Sequence, residues 1–112
     1  MGKSQRTKGH SFERKVANDL KGIGFDKAKR HLEFQAEEAE LGQDIDNTHP
    51  FLIQCKAMKN FPNPRKVLDQ IKDQEGAYKL AVIKQDRKGT FAVMEWEDFL
   101  EILEILKKNK TI

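Results

Sequence analysis

An acid, an amide and a lysine at the ends of two adjoining segments are the residues of this chain best suited to chemistry. Asp44 lies within the polar stretch 42–46, and the apolar segment 51–56 that follows a short turn contains Gln54 and Lys56. Because a strand sends alternate side chains to opposite faces, Gln54 and Lys56 share one face. Polar side chains on an apolar strand are costly to bury unless they meet a cation or an anion. The pattern is typical of a metal-dependent phosphodiesterase site.

A second carboxylate, Glu13, is predicted to approach from an amphipathic helix over residues 11–21. Apolar residues recur every four positions at Phe12, Val16 and Leu20, with Ser11 as the N-cap and glycines after the last turn. Glu13 lies three positions before Val16 and seven before Leu20, on or beside the apolar stripe, where a carboxylate needs a partner. We therefore expect one acid from the helix, one acid from a strand and the strand lysine to converge on one or two divalent cations.

The elements that must position these residues are predicted in the order helix, three strands, helix, two strands, helix. Turn signals occur at residues 47–50 and 86–89, and residues 36–42 are predicted to form a loop or a short helical turn. The predicted strands are residues 27–35, the segment leading into Asp44, residues 51–56, residues 78–84 and residues 90–96. This order predicts an α/β protein with a mixed sheet.

The two later helices are predicted from their caps and apolar positions. The second begins at Pro64 with Asn63 as its cap and runs to about Glu75, with Val67, Leu68 and Ile71 facing inward. Gln70 and Gln74 form a neighbouring stripe that is either solvated or reaches the site or DNA. In the last helix, the inward positions are Trp96, Phe99, Leu100, Leu103 and Leu106. Ile102 and Ile105 lie off that stripe and either widen the core stripe or form a dimer contact.

Length and composition indicate one small domain with a very polar surface. The chain has 112 residues, 35% of them charged, and no apolar stretch that approaches a membrane span. The basic N-terminus lacks the apolar segment of a secretory signal. A single cysteine, Cys55, excludes an internal disulfide and a zinc cluster, and its place on the apolar strand face favours a small buried side chain over a catalytic thiol. We expect a cytoplasmic protein with no membrane contact.

The charge distribution separates a basic region from an acidic one. Residues 1–31 hold nine Lys and Arg against three acids, and residues 32–48 hold six acids and no Lys or Arg. This arrangement suits a protein that binds phosphates in one place and a metal in another, the alternative being a solvated tail and a charged loop. We predict a flexible basic arm over residues 1–9 and a single domain over residues 10–112. Asp46, Glu38 and Glu40 are weaker site candidates, and the three histidines show no ligand spacing.

The order Glu13, Asp44, Gln54-x-Lys56 resembles the PD-(D/E)XK nuclease superfamily. Residues 9–14, 42–45 and 53–56 resemble its branch of archaeal and phage Holliday junction resolvases, and the resemblance covers roughly residues 8–100. The chain departs from that pattern at Gln43, where the family often has proline, and at Gln54, where it usually has glutamate. Because an amide oxygen can ligate a hard cation but brings no charge, the second departure predicts weaker metal binding.

The resemblance implies a restriction-endonuclease-like core, with a central mixed five-stranded sheet flanked by helices. It also implies that Glu13, Asp44, Gln54 and Lys56 are catalytic. Mg²⁺, for which Mn²⁺ can substitute, would be held by Glu13, Asp44, Gln54 and the backbone carbonyl of Cys55. Lys56 would orient or deprotonate the attacking water, or stabilise the developing charge.

DNA is the partner that the resemblance implies, and most contacts are expected to be with phosphates, which position a duplex without reading its sequence. The candidates are Lys3, Arg6, Lys8, Arg14, Lys15, Lys29, Arg30, Lys59, Arg65 and Lys66. A resolvase cuts two symmetry-related strands, so one site per chain implies a C2 homodimer on four-way junctions. It would act in the cytoplasm, or in that of the host if a phage encodes it. The alternatives are a nuclease of the same fold acting on flaps, nicks or duplex, and an inactive DNA-binding module.

Overall fold

The structure, a computed structural model, describes residues 2–35 and 38–112, and for residues 2–6 only the backbone. The elements are α1 (Gly2–Gly22), β1 (Lys29–Arg30), β2 (Ile45–Asp46), β3 (Phe51–Met58), α2 (Pro64–Leu68), β4 (Tyr78–Gln85), β5 (Gly89–Val93) and α3 (Trp96–Lys108), with one 3₁₀ turn at Glu33–Gln35. The predicted element order is confirmed. The predicted α/β class with a mixed five-stranded sheet flanked by helices is confirmed as well.

The five strands lie side by side in chain order, β1-β2-β3-β4-β5. Only β3 and β4 are parallel, and α2 lies in the connection between them, as a parallel pair requires a crossover. On β3, Ile53 and Cys55 are buried on the face that packs against α1, and Gln54 points to the opposite face. The predicted division of β3 into two faces is therefore confirmed.

Two apolar clusters, one associated with each helix that covers the sheet, form the core. Against α1, the buried residues are Phe12, Val16, Ala17, Ala28, Ile45, Ile53 and Cys55. The second cluster joins Val67 and Leu68 of α2 to Ala81 and Ile83 of β4. Ile71 is also buried, so the predicted inward positions of the second helix are confirmed. The polar face of β3 lies against the acidic loop, which we define as residues 38–44 before β2, because Gln54 donates to the Gly42 carbonyl.

Helix α1 begins at Gly2, nine residues earlier than the predicted cap Ser11, which lies inside the helix. The backbone of residues 2–9, predicted as an arm, is helical. Lys, Gln and Arg are good helix formers and can extend a helix that tertiary packing has already nucleated. Lys8 also donates to both carboxylate oxygens of Asp86, at 2.7 and 2.8 Å, and so joins this end of α1 to the β4–β5 turn.

Two predicted elements are shorter than expected because the chain makes tertiary hydrogen bonds instead. The strand predicted over residues 27–35 is limited to Lys29–Arg30, after which His31 N–H donates to the Asp44 carbonyl (2.8 Å) and the chain leaves the sheet. Helix α2 ends at Leu68, well before Glu75, because the chain tightens there and Lys72 N–H donates to the Leu41 carbonyl (2.7 Å). Both deviations bring the segments after β1 and after α2 close to the acidic loop.

The predicted packing of the last helix is wrong for its first half. All residues of α3 are described, and none of them is buried. Trp96, Phe99 and Leu100, predicted to face inward, are 61%, 41% and 39% exposed, and Ile105 is 47% exposed. An apolar stripe predicts that a helix face is covered, but it does not specify by what. The strand predicted to reach Trp96 ends at Val93, and no helix of the described residues could cross a membrane.

Candidate active site

Asp44 is fixed by its backbone between β1 and β3, immediately before β2. Its N–H donates to the Ile53 carbonyl (2.7 Å), and its carbonyl accepts from His31 N–H (2.8 Å). The side chain then takes the place of a backbone acceptor, because Asp44 Oδ2 accepts from Cys55 N–H (2.7 Å). The carboxylate therefore lies at the point where β2 separates from β3.

The environment of Asp44 makes its negative charge unfavourable. Burial is the main cause that raises the pKa of Asp44 to about 6; the negative charge of Glu13 also raises it, and the hydrogen bond from Cys55 N–H lowers it. The charge of Lys56 favours the ionised form, as an imidazolium at His31 would, but the effect of burial is not offset. The acid from α1 and the lysine from β3 are thus close enough to Asp44 to affect its ionisation. A partly buried carboxylate of this kind is stabilised by a cation, and groups with shifted pKa values cluster at functional sites.

Glu13 reaches this region from α1 with an arginine as its partner. Arg30 Nε donates to Glu13 Oε1 at 2.9 Å, and both side chains are more than four-fifths buried. The prediction that a carboxylate on the apolar stripe needs a partner is confirmed, and the partner is a residue of β1. Arg30, predicted to contact DNA, therefore also holds one of the candidate metal ligands.

Gln54 is buried beside Asp44 and is fixed through its amide nitrogen. Gln54 Nε2 donates to the carbonyl of Gly42, a hydrogen bond that glutamate could not make in its ionised form. Gly42 has a φ of +89°, and a Cβ at this position would overlap the carbonyl oxygen of Gln70. Glycine is therefore required for the loop to approach both Gln54 and the turn after α2.

Cys55 and Lys56, the other two residues of the predicted active site, differ in their chemistry. Burial and the charges of Asp44 and Glu13 raise the pKa of the Cys55 thiol, which stays protonated and is a poor nucleophile. The interpretation of Cys55 as a small buried side chain is thus supported. Lys56 is half-buried on the same face as Gln54, and its charge acts on Asp44.

An acidic pocket of about 490 Å³ opens beside Asp44 and Gln54. The residues that line this acidic pocket are His31, Glu33, Glu40, Gly42, Gln43, Asp44, Gln54 and Gln70. Gln70 reaches the pocket, which sequence reasoning left open, whereas Gln74 lines a different pocket. No group of three or more His, Cys, Asp or Glu side chains in residues 2–35 and 38–112 is arranged to hold a metal by itself. A cation here would need backbone, amide, water or phosphate oxygens as well.

A buried polar network behind the acidic pocket was not anticipated from the sequence. His31 Nδ1 lies 2.7 Å from Asp46 Oδ1, which also accepts from Gln43 Nε2 at 3.2 Å. Gln43 further donates to the Ala39 carbonyl and accepts from Leu41 N–H, both at 2.8 Å. Gln43 therefore links the acidic loop to Asp46. The one sequence signal was that Asp46 shares a strand face with Asp44.

A basic groove of about 320 Å³ lies between α1 and β1. It is lined by Arg14, Ala17, Asn18, Lys21, Lys29, Arg30, Leu32 and Gln35. Three of the predicted DNA contacts, Arg14, Lys29 and Arg30, thus come together, with Lys21 as a member that the sequence did not single out. Through the pair of Arg30 with Glu13, this basic groove adjoins the candidate active site.

The other predicted DNA contacts are dispersed. Lys15 pairs with Asp19 on α1 at 2.7 Å, and Arg65 donates to Glu95 at 2.9 Å. Lys59 lines a second basic patch near the β4–β5 turn, together with Asn60, Gln85, Asp86, Arg87 and Lys88. Lys8 adjoins this patch through Asp86, and Lys66 is exposed on α2. The side chains of Lys3 and Arg6 lie outside the described part of the chain.

Comparison with family models, with curated proteins and with solved structures found no match for this chain. The geometry of its own residues therefore carries the functional interpretation.

Proposed function

We propose that this protein is a metal-dependent, structure-selective DNA endonuclease with a restriction-endonuclease-like core, of the Holliday junction resolvase type. The observation that supports it best is the partly buried carboxylate of Asp44, with its pKa raised to about 6, beside Glu13 and Lys56. Desolvation disfavours an ionised acid there unless a cation offsets its charge, and groups with such shifted pKa values cluster at functional sites. The mixed sheet with α1 across one face is compatible with this fold.

The donor set fits a hard divalent cation, Mg²⁺ or Mn²⁺, in an open coordination shell. Asp44 Oδ2 faces Cys55 N–H, and the N–H and carbonyl of one strand residue point to the same side. The Cys55 carbonyl therefore points to the same side of β3 as the Cys55 N–H. It lies past the pair Ile45 and Ile53, the single residue pair between β2 and β3. Gln54 uses its amide nitrogen on Gly42, so its oxygen remains for the cation. Waters and a substrate phosphate would complete the shell, as is usual for Mg²⁺.

Hydrolysis of a phosphodiester needs an activated water and neutralisation of the charge that develops. When bound, the cation supplies both. Lys56 would orient or deprotonate the water, because it shares the face of Gln54 and its charge acts on Asp44. Arg30 holds Glu13 at the margin of the centre, where this carboxylate would bind the cation directly or through a water.

DNA would lie along the basic groove, with phosphates on Arg14, Lys21 and Lys29. The groove adjoins the centre through Arg30, so a strand bound there passes the candidate active site. Contacts of this kind favour recognition of DNA shape over sequence, which suits a four-way junction.

A second copy of the chain would cover the exposed apolar face of α3. Trp96, Phe99 and Leu100 are exposed on its first half. The acids of the helix lie towards its start and its lysines at its end, so two helices related by a two-fold axis would place the acidic half of each against the basic half of the other. Such a homodimer carries the two active sites that cutting both strands of a junction requires.

The test is cleavage of a labelled four-way junction and a matched duplex with Mg²⁺, with Mn²⁺ and with chelator. We expect symmetric, metal-dependent cuts in the junction alone. Lys56→Ala should reduce the rate by about 10²–10⁴-fold, the range for loss of a positioned acid–base group. Lys84→Ala, at an exposed lysine of β4 outside the proposed site, groove and dimer contact, is the matched control and should cleave normally. Equal cutting of the duplex would support the nuclease activity and reject the preference for junctions.

The hydrogen bond from Gln54 to Gly42 favours a second candidate, an inactive DNA-binding module on the same fold. In such a module the Gln54 side chain would only hold the loop at Gly42 and would bind no metal. Gln54→Glu separates the two candidates because it restores a negative ligand while removing the hydrogen bond. An enzyme should bind Mg²⁺ more tightly and cut at lower metal concentration. Tight junction binding without cutting, in the variant as in the parent protein, would identify the binding module.

A further inference from the structure

His31 presents a buried ring nitrogen with no hydrogen-bond partner in the described residues. The side chain is only 9% exposed, and its Nε2 atom is one of two buried side-chain polar atoms of the described chain without a partner. The other is Oδ2 of Asp46, the residue that holds the ring. Buried polar atoms are almost always satisfied, so an orphaned ring nitrogen beside a pocket indicates that something binds there.

The hydrogen bonds of the network determine which ring nitrogen carries a lone pair. Asp46 Oδ1 accepts from Gln43 Nε2 and also contacts His31 Nδ1 at 2.7 Å. An oxygen that already accepts from an amide is best matched by a donor, so His31 Nδ1 carries the hydrogen. Nε2 is then a free base directed away from Asp46. A carboxylate that holds one nitrogen of a histidine while the other binds a cation is the usual outer shell of a metal-ligating histidine.

The surroundings of Nε2 suit a cation better than a hydrogen bond. Glu40 Oε1 lies 3.8 Å from His31 Nε2, too far for a hydrogen bond. Two ligand bonds of about 2.0–2.2 Å would span this distance through one ion. Gln43 fixes the loop that carries Glu40, through its bonds to Ala39 and Leu41. His31, Glu40 and Asp44 all line the acidic pocket.

We propose that His31 Nε2, oriented by Asp46, is a nitrogen ligand for a divalent cation in the acidic pocket, with Glu40 opposite, and that it makes this centre favour transition-metal ions over Mg²⁺. Imidazole binds transition metals far better than Mg²⁺, which prefers oxygen. The ligand would offset the charge that Gln54 fails to supply. The inference rests on the proposed function, because the cation is the one that the nuclease would use.

The experiment measures Co²⁺ and Mg²⁺ binding to the free protein by isothermal titration calorimetry, with the Co²⁺ absorption spectrum as a second readout. Co²⁺ is a probe whose visible bands respond to a nitrogen ligand. His31→Gln should weaken Co²⁺ binding about tenfold or more and change Mg²⁺ binding much less, with a shift of the Co²⁺ bands. His49→Gln, at an exposed histidine, is the matched control and should leave both ions unaffected.

An unchanged ratio of Co²⁺ to Mg²⁺ affinity in His31→Gln would overturn the inference, and the nuclease proposal would stand if Asp44→Asn still abolished binding of both ions. Absence of Mg²⁺, Mn²⁺ and Co²⁺ binding to the wild-type protein, without metal-dependent cleavage, would overturn both. Should His31→Gln fail to fold, the wild-type protein decides: Zn²⁺ should shift the ¹⁵N resonance of His31 Nε2 and leave those of His10 and His49 in place. An unmoved His31 resonance would contradict the inference.

Discussion

The two ends of this molecule differ in the side chains that they bury and expose. At the edge formed by β2 and β3, four polar or charged residues, Gln43, Asp46, Thr48 and Gln54, are more than nine-tenths buried. On α3, large apolar side chains such as Trp96 and Phe99 are exposed. Buried polar groups cost free energy unless hydrogen bonds satisfy them, and exposed apolar patches cost free energy unless another surface covers them.

The difference suggests what each end requires. The β2–β3 edge fixes Asp44 and Gln54 by hydrogen bonds and leaves the negative charge of Asp44 unfavourable. The α3 end lacks a covering surface. We therefore interpret the first as a cation-dependent catalytic edge and the second as the contact with another copy. Variants of one end should leave the function of the other intact, which makes the comparison testable.

The largest effect is expected for Asp44→Asn. It removes the charge around which the cation and the water are arranged, so junction cleavage should fall on the order of 10³-fold, comparable to loss of a positioned acid–base group. Calorimetry should show that Mg²⁺ binding is lost, and light scattering should show an unchanged molar mass. Retention of full cleavage would reject the site.

Gly42→Ala should destabilise the catalytic edge by about 2–4 kcal/mol, since the new Cβ meets the Gln70 carbonyl and φ is positive. Gly76→Ala is the matched control, with a φ of +78° and nothing within 4 Å of its Cβ, and should cost about 1–2 kcal/mol. Urea unfolding measures both. Equal losses would show that the loop does not approach the turn after α2 in solution.

Phe99→Glu should act on the other end of the molecule alone. We expect a dimer dissociation constant raised at least about thirtyfold, equivalent to about 2 kcal/mol, with Mg²⁺ binding unchanged. Phe34→Glu, at an aromatic residue that is 83% exposed outside α3, is the control and should leave the dimer intact. Sedimentation measures the effect. A wild-type chain that is monomeric at high concentration would contradict the dimer contact directly.

The smallest effect concerns pH and stability without metal. Because the folded-state pKa of Asp44 is raised to about 6 from 3.8, the folded protein holds a proton between these pH values that the unfolded chain releases. Stability contributed by this group should therefore fall as pH rises through that window, by about 1–2 kcal/mol after allowance for solvent screening. Asp44→Asn should be more stable than wild type at pH 7.5 and nearly equal at pH 4. Chemical denaturation at both pH values measures the difference in unfolding free energy between the variant and the wild type. The same difference at pH 4 and at pH 7.5 would reject the raised pKa of Asp44.

The pattern of apolar residues in the sequence was a sound guide wherever neighbouring elements bury one face of a helix or strand. It gave the two faces of β3, the extent of β4 within one residue and the inward positions Val67, Leu68 and Ile71. It could not give the ends of β1 and α2, because these depend on hydrogen bonds between residues far apart in the chain, such as Lys72 to Leu41.

The site was predictable as a set of residue types and not as a network. Glu13, Asp44, Gln54 and Lys56 stand out by their placement on apolar elements. His31 and Asp46 meet only because β1 and β2 pair with Lys29 opposite Asp46, a register that a two-residue strand does not reveal. The exposed face of α3 was equally invisible, since its apolar stripe is the same whether a sheet or another chain covers it.

The central claim is that a divalent cation binds where Asp44 meets β3. The most direct measurement is an anomalous difference map from crystals of the protein grown with Mn²⁺. We expect a peak within ligand distance of the Asp44 carboxylate and the Cys55 carbonyl, in a pocket that His31 also lines. A map with no peak at this edge, from crystals in which Mn²⁺ is bound elsewhere or nowhere, would contradict it.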